Sequence, residues 1–158
     1  MNKDILKRLN LRDQLPEDPL KLFSLFEKTT LAYILIGLIH AFMKKAGLTE
    51  TYLADSVTGG TIGYLIVAIK LMYHDEAFSE LRTRTNIDPE KFKSVMLTIG
   101  YSEKKDGIYY PKKRMFSIFY SCKSELITHN PMSGATILTG PHNKLQKLAN
   151  LTIKNIYD

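Results

Sequence analysis

The feature that most constrains this chain is a pair of apolar segments with almost no polar face, at residues 31–45 and 61–73. A helix that is apolar all round belongs in a protein core or in a membrane. A bilayer span requires roughly 18 apolar residues, and Gly37 and His40 interrupt the longer run. We therefore expect two central core helices. The side chains expected to be almost inaccessible are Leu35, Ile39, Leu65 and Ile69.

Composition limits the class of protein to one globular domain over residues 1–158. The 44% hydrophobic and 24% charged fractions are globular averages and exclude disorder. A single cysteine, Cys122, excludes a disulfide framework. The first residues mix acids with bases around no apolar core, which excludes a signal or transit peptide. These observations predict an intracellular protein, cytoplasmic or nuclear, without a transmembrane segment.

Hydrophobic periodicity predicts helices along most of the chain. The clearest start is Asp88-Pro89-Glu90, an N-cap followed by proline at the first helical position, and Gly100 ends that helix. Residues 112–128 are expected to form another helix, and residues 129–143 a break. We therefore predict an all-α fold of about six to seven helices, with at most a short hairpin near residues 101–112. A basic helix at residues 141–158 would close the chain.

Sequence motifs for catalysis are missing. The four histidines show no metal-ligand spacing. The chain contains neither a nucleophile elbow nor a phosphate-binding glycine loop. The sequence thus predicts a protein that is not an enzyme and that uses no metal and no cofactor.

The order of segments between residues 19 and 101 resembles a single cyclin box of the small phosphate-pathway type. An amphipathic segment, PLKLFSLFEKTT, precedes the apolar LAYILIGLIHAFMKKAGL. The apolar GYLIVAIKLMYHDEAFSE follows, and then the amphipathic IDPEKFKSVMLTIGY. The resemblance implies a cyclin-like helical core over about residues 19–128 and a regulatory subunit that binds a protein partner such as a kinase.

In cyclins the hub helix ends in Ala-x-Lys and an acid, which Ala68-Ile69-Lys70 and Asp75 match here. The resemblance therefore implies a partner-binding site at Lys70, Asp75 and Glu76. The chain departs from the family at the glutamate that usually pairs with the lysine. Phe92, Lys93 or Ser94 stands at that place.

The charge distribution leaves a second function open. Residues 91–158 hold eleven bases and four acids, which favours an acidic partner. Residues 78–110 also fit a helix-turn-helix with a small wing around Asp106-Gly107, a nucleic-acid-binding arrangement. The residues assigned to anion or nucleic-acid binding are Lys91, Lys93, Lys104, Lys105, Tyr109, Tyr110, Lys112, Lys113 and Arg114. A third class, binding to an anionic membrane surface, would use Lys144, Lys147 and Lys154.

Overall fold

A computed structural model describes residues 5–83, 88–113, 118–132 and 135–157, without the side chains of residues 5, 132 and 152–157. Its helices are α1 (Leu11–Glu17), α2 (Leu20–Lys45), α3 (Leu53–Lys70), α4 (Pro89–Thr98) and α5 (His142–Tyr157). Its strands are β1 (Ile5–Arg8), β2 (Phe78–Thr83), β3 (Tyr101–Lys105), β4 (Ile108–Pro111), β5 (Ile127–Met132) and β6 (Ala135–Pro141). A π-helical turn, Leu71–Asp75, extends α3, and a 3₁₀ turn covers Lys123–Glu125.

The strands form one antiparallel sheet in the order β1-β2-β6-β5-β4-β3. The predicted all-α fold is therefore wrong, and so is the all-helical character that the cyclin resemblance implied. Strand β2 shows why, since burial alternates from Ser79 to Thr83 with the two-residue period of a half-buried strand. That strand stands where the helix-turn-helix interpretation required its first helix, so this motif is wrong, while nucleic-acid binding itself stays a prediction.

The expected helix at residues 112–128 does not form in the part described, and the expected break at 129–143 holds strands β5 and β6. Thr128 pairs with Thr139 across these two strands. Gly140 is required there, because a Cβ at that position would lie 2.9 Å from the carbonyl oxygen of Leu126. The prolines and glycines of this region therefore mark strand ends and close strand approach as well as loops.

Two local predictions are confirmed. The Asp88 carboxylate accepts a hydrogen bond from the Glu90 amide over 3.1 Å and caps α4, with Pro89 as the first helical residue. The Asp106-Gly107 turn joins β3 to β4, and Gly107 adopts a φ of 70°. The β-hairpin expected near residues 101–112 thus exists, but its two strands form one edge of a six-stranded sheet.

The larger of two buried apolar clusters lies between one face of the sheet and helices α4 and α5, and the smaller one joins the lower part of α2 and α3 to Cys122. Phe92 packs edge-on against Tyr109, with ring centroids 5.3 Å apart. We call the sheet with α4 and α5 the α/β unit. Its buried apolar side chains are Leu81, Phe92, Met96, Ile99, Tyr101, Tyr109, Ile127, Leu138, Leu145 and Leu148.

Helices α2 and α3 form an antiparallel hairpin joined by residues 46–52, and we call this pair of helices the hairpin. The helices approach closely at Gly60, where a Cβ would lie 3.0 Å from Ile36 Cδ1. The expectation that these helices are the most buried elements is wrong. Leu35, Ile39 and Ile69 are exposed, and Leu65 is only partly buried.

Candidate functional site: an apolar hairpin on a polar base

The hairpin carries its apolar side chains on the outside. Both α2 and the helix formed by α3 with its π-helical turn are long and apolar enough to cross a membrane by length and composition. In the most apolar stretch of 18 residues of α2, only 11% is buried. The corresponding value for the helix Leu53–Asp75 is 22%. A core helix of a globular protein would be mostly buried. The prediction of no transmembrane segment is therefore contradicted, although length and composition alone are weak evidence.

The exposed apolar side chains surround the hairpin. Tyr33, Ile34 and Leu35 are consecutive and all exposed, and successive helical residues point about 100° apart. Leu38 and Phe42 continue the surface toward the tip, with 64% and 71% of their area exposed. Ile62, Ile66 and Val67 do the same on α3. No single partner helix could cover a surface that extends so far around both helices.

The charge-free part of each helix is short for a full span. It covers residues 29–43 in α2 and 56–69 in α3, each about 20 Å long at 1.5 Å per residue. A hydrocarbon core is about 30 Å thick. Lys44 and Lys70 are exposed and each follows one of these stretches, so they could extend their ammonium groups to the headgroups, which lengthens the apolar span.

A polar cluster closes the hairpin where it meets the α/β unit, and we call it the polar base. Gln14 is its centre, with 1% of its area exposed. Its Nε2 donates to the carbonyl oxygens of Leu9 and Tyr73, over 2.9 and 3.2 Å. Its Oε1 accepts from the Phe78 amide over 3.1 Å and from Lys21 Nζ over 3.4 Å. The buried amide thus makes the four hydrogen bonds that its chemistry permits.

The remaining groups of the polar base tie the start of α2 to the segments that lead into β2 and β5. Lys21 Nζ also donates to the carbonyl oxygen of Glu76 over 3.1 Å. Asp18 Oδ2 accepts from both the amide and the hydroxyl of Ser124, each over 2.7 Å. Glu76 is buried, and this desolvation raises the pKa of its carboxyl group, while a hydrogen bond from Asn143 opposes the shift. Buried charges held this way fix the position of the hairpin on the α/β unit.

A patch of exposed apolar side chains flanks the polar base. It consists of Phe23 and Phe26 on α2 and of Ile118, Phe119 and Tyr120 in the segment before the 3₁₀ turn. The rings of Phe23 and Tyr120 lie 6.0 Å apart, and the Ile118 amide donates to Glu27 Oε1 over 3.1 Å. We call these five residues the junction patch.

The partner-binding residues that the cyclin resemblance implied lie close together at the end of α3, but in different environments. Lys70 is exposed. Asp75 accepts from His74 Nδ1 over 2.9 Å, while Arg8 contacts the other ring nitrogen. Glu76 is buried, so a partner could not reach it without disrupting the polar base.

The residues assigned to nucleic-acid binding are divided between surface and core. Lys91, Lys93, Lys104, Lys105, Lys112 and Lys113 are exposed. Tyr109 is buried against Phe92 and cannot stack on a base. Tyr110 is half-buried, and Lys104 Nζ lies 5.2 Å from its ring. Arg114 lies outside the described residues, as does the side chain of Lys154.

Comparison with family models, curated proteins and solved structures finds no match to this chain. Among the described residues, no three His, Cys, Asp or Glu side chains are grouped as metal ligands would be. The observations that bear on function are therefore those of the structure itself.

Sequence reasoning missed both the length and exposure of the apolar helices of the hairpin and the polar base. One signal for the first was present, because Thr29 and Thr30 join two apolar segments into a single helix of 26 residues. The polar base had no local signal, since Gln14 contacts residues up to 64 positions away.

Proposed function

We propose that this protein is a membrane-anchored interaction protein, in which the hairpin crosses a lipid bilayer and the α/β unit binds its partner at the membrane surface. The observation that carries the proposal is the exposure of apolar side chains all round the hairpin. In water such a surface would be strongly unfavourable, at roughly 25 cal/mol for each Å² of apolar area. In a bilayer the same surface contacts acyl chains.

A bilayer explains this surface better than a second copy of the chain. A partner hairpin would cover one side of α2 and leave the others in water. The backbone of both helices also satisfies its own hydrogen bonds, which a membrane requires. The kinase partner implied by the cyclin resemblance stays a prediction, as does the absence of catalysis.

The distribution of positive charge favours one orientation. The tip between residues 44 and 55 holds two bases, Lys44 and Lys45, whereas residues 12–28 and 70–84, which flank the other ends of the two helices, hold six. Positively charged flanking regions are retained in the cytoplasm. We infer that the α/β unit faces the cytoplasm; the intracellular location expected for the protein stays a prediction.

Membrane extraction tests the proposal. The full chain, expressed in a bacterial host, should remain in membranes washed with alkaline carbonate. The double variant Leu38→Lys, Ile66→Lys places two charges on the exposed hairpin surface, each costing about 2.5–3.5 kcal/mol at the centre of a span. This variant should leave the membrane fraction.

A matched control variant, Leu11→Lys, Leu97→Lys, changes two exposed leucines outside the hairpin and should stay with the membranes. The proposal is wrong if the unaltered chain is recovered without detergent as a monodisperse species. Light scattering that gives a defined dimer would show that the hairpin pairs with a second copy instead.

A further inference from the structure

We propose that the junction patch is an interfacial anchor that inserts into the headgroup region of the bilayer and holds the α/β unit against the membrane. This inference rests on the proposed function, because the patch continues the apolar surface of the hairpin. Its ligand is the phospholipid interface, where an apolar ring meets acyl chains on one side and polar headgroups on the other.

The patch joins two parts of the chain that are distant in sequence. Phe23 belongs to α2, and Tyr120 belongs to the segment that leads into the 3₁₀ turn and β5. Their rings lie 6.0 Å apart. The hydrogen bond from the Ile118 amide to Glu27 holds the same segment one helical turn further along α2. The segment therefore lies alongside the helix and presents its side chains at a fixed height.

Three side chains of the patch are among the most exposed apolar groups of the described residues. Phe119 exposes 76% of its area, Phe26 exposes 73% and Ile118 exposes 69%. Isolated exposed apolar residues are ordinary, but contiguous ones indicate an interaction surface.

The position of the patch along the axis of the hairpin indicates that its ligand is the membrane interface. Phe26 precedes the charge-free stretch of α2 by three residues, about 4.5 Å along the axis. Tyr side chains such as Tyr120 concentrate at this level of membrane proteins, and Phe side chains are common on the apolar face of segments that lie in the interface. The far end of the hairpin carries a matching group, Tyr52, which is 79% exposed next to the tip. Aromatic residues thus border the apolar surface at both ends.

Tryptophan fluorescence can test the anchor, because the chain contains no tryptophan. Phe119→Trp introduces one reporter at an exposed position, and the protein is reconstituted into phosphatidylcholine vesicles. We expect the emission to be shifted to shorter wavelength. Lipids brominated near the glycerol end of their chains should quench it more than lipids brominated near the methyl end.

Two further single-tryptophan variants separate the inference from the proposed function. Leu38→Trp, near the middle of the charge-free stretch of α2, should be quenched most by the deep bromines if the hairpin is inserted. Leu97→Trp, exposed on α4, should be quenched by neither lipid. Deep quenching at Leu38→Trp with no quenching at Phe119→Trp would overturn the anchor alone. No quenching at either position would overturn the proposed function.

Discussion

The side-chain amide of Gln14 donates a 3.2 Å hydrogen bond to the carbonyl oxygen of Tyr73, which lies 59 residues further along the chain. This contact joins α1 to the π-helical turn where the hairpin ends. The last carbonyl groups of a helix have no partner within the helix, and Gln14 satisfies one of them, that of Tyr73. The end of the hairpin is therefore held in place by a hydrogen bond from a residue outside it.

Gln14→Leu should destabilise the protein by about 2–5 kcal/mol, because it leaves several buried polar groups without partners. Urea unfolding in detergent micelles, followed by circular dichroism, would measure this loss. Gln146→Leu, at an exposed position of α5, is the matched control. Equal stability of the two variants would show that Gln14 does not organise the base.

Cys122 should be unreactive in the folded protein. The thiol is buried, and desolvation followed by the nearby Asp18 and Glu125 carboxylates raises its pKa from 9.0 to about 12. At pH 8 its thiolate fraction is then about 1,000-fold below that of an ordinary cysteine. Alkylation should become fast only on unfolding. The double variant Ser121→Cys, Cys122→Ser places the thiol one residue away at an exposed position, and should react rapidly in the native state.

Because Glu76 is buried, the free energy of unfolding should fall as the pH rises above about 4.5. Burial raises the pKa of this carboxyl group above its ordinary value of 4.5, so the folded state holds a proton that the unfolded state has lost. The contribution of the protonated Glu76 carboxyl group to stability is fully present below pH 4.5 and is lost as the pH rises through the raised pKa of the folded state. Glu76→Gln should remove this contribution. The exposed Glu90→Gln is the control and should keep the pH dependence of the unaltered protein.

The sequence predicted local structure well where one or two residues decide it. The cap at Asp88 and the turn at Gly107 depend on carboxylate geometry and on a positive φ, and both were found. Strands β2, β5 and β6 were missed because their stability comes from pairing with distant segments. Ser79, for example, is paired with Gly140, and no local pattern reveals such a partner.

The error about the hairpin had a different cause. All-round apolarity was correctly recognised in residues 31–45, but it fits a core and a membrane equally well. The choice depends on how much chain remains to cover the helices. Here the remaining segments form a sheet whose apolar face is already covered by α4 and α5, so they cannot also bury the hairpin.

The most direct measurement determines on which side of the membrane the tip of the hairpin lies. In a Cys122→Ser background, Glu50→Cys places a thiol at the exposed tip and Lys91→Cys places one on exposed α4. A membrane-impermeant maleimide is added to intact spheroplasts of the expressing host, before and after detergent. If the hairpin crosses the membrane, Glu50→Cys is labelled at once and Lys91→Cys only after detergent. Labelling of both thiols from the same side without detergent would contradict a hairpin that crosses the membrane.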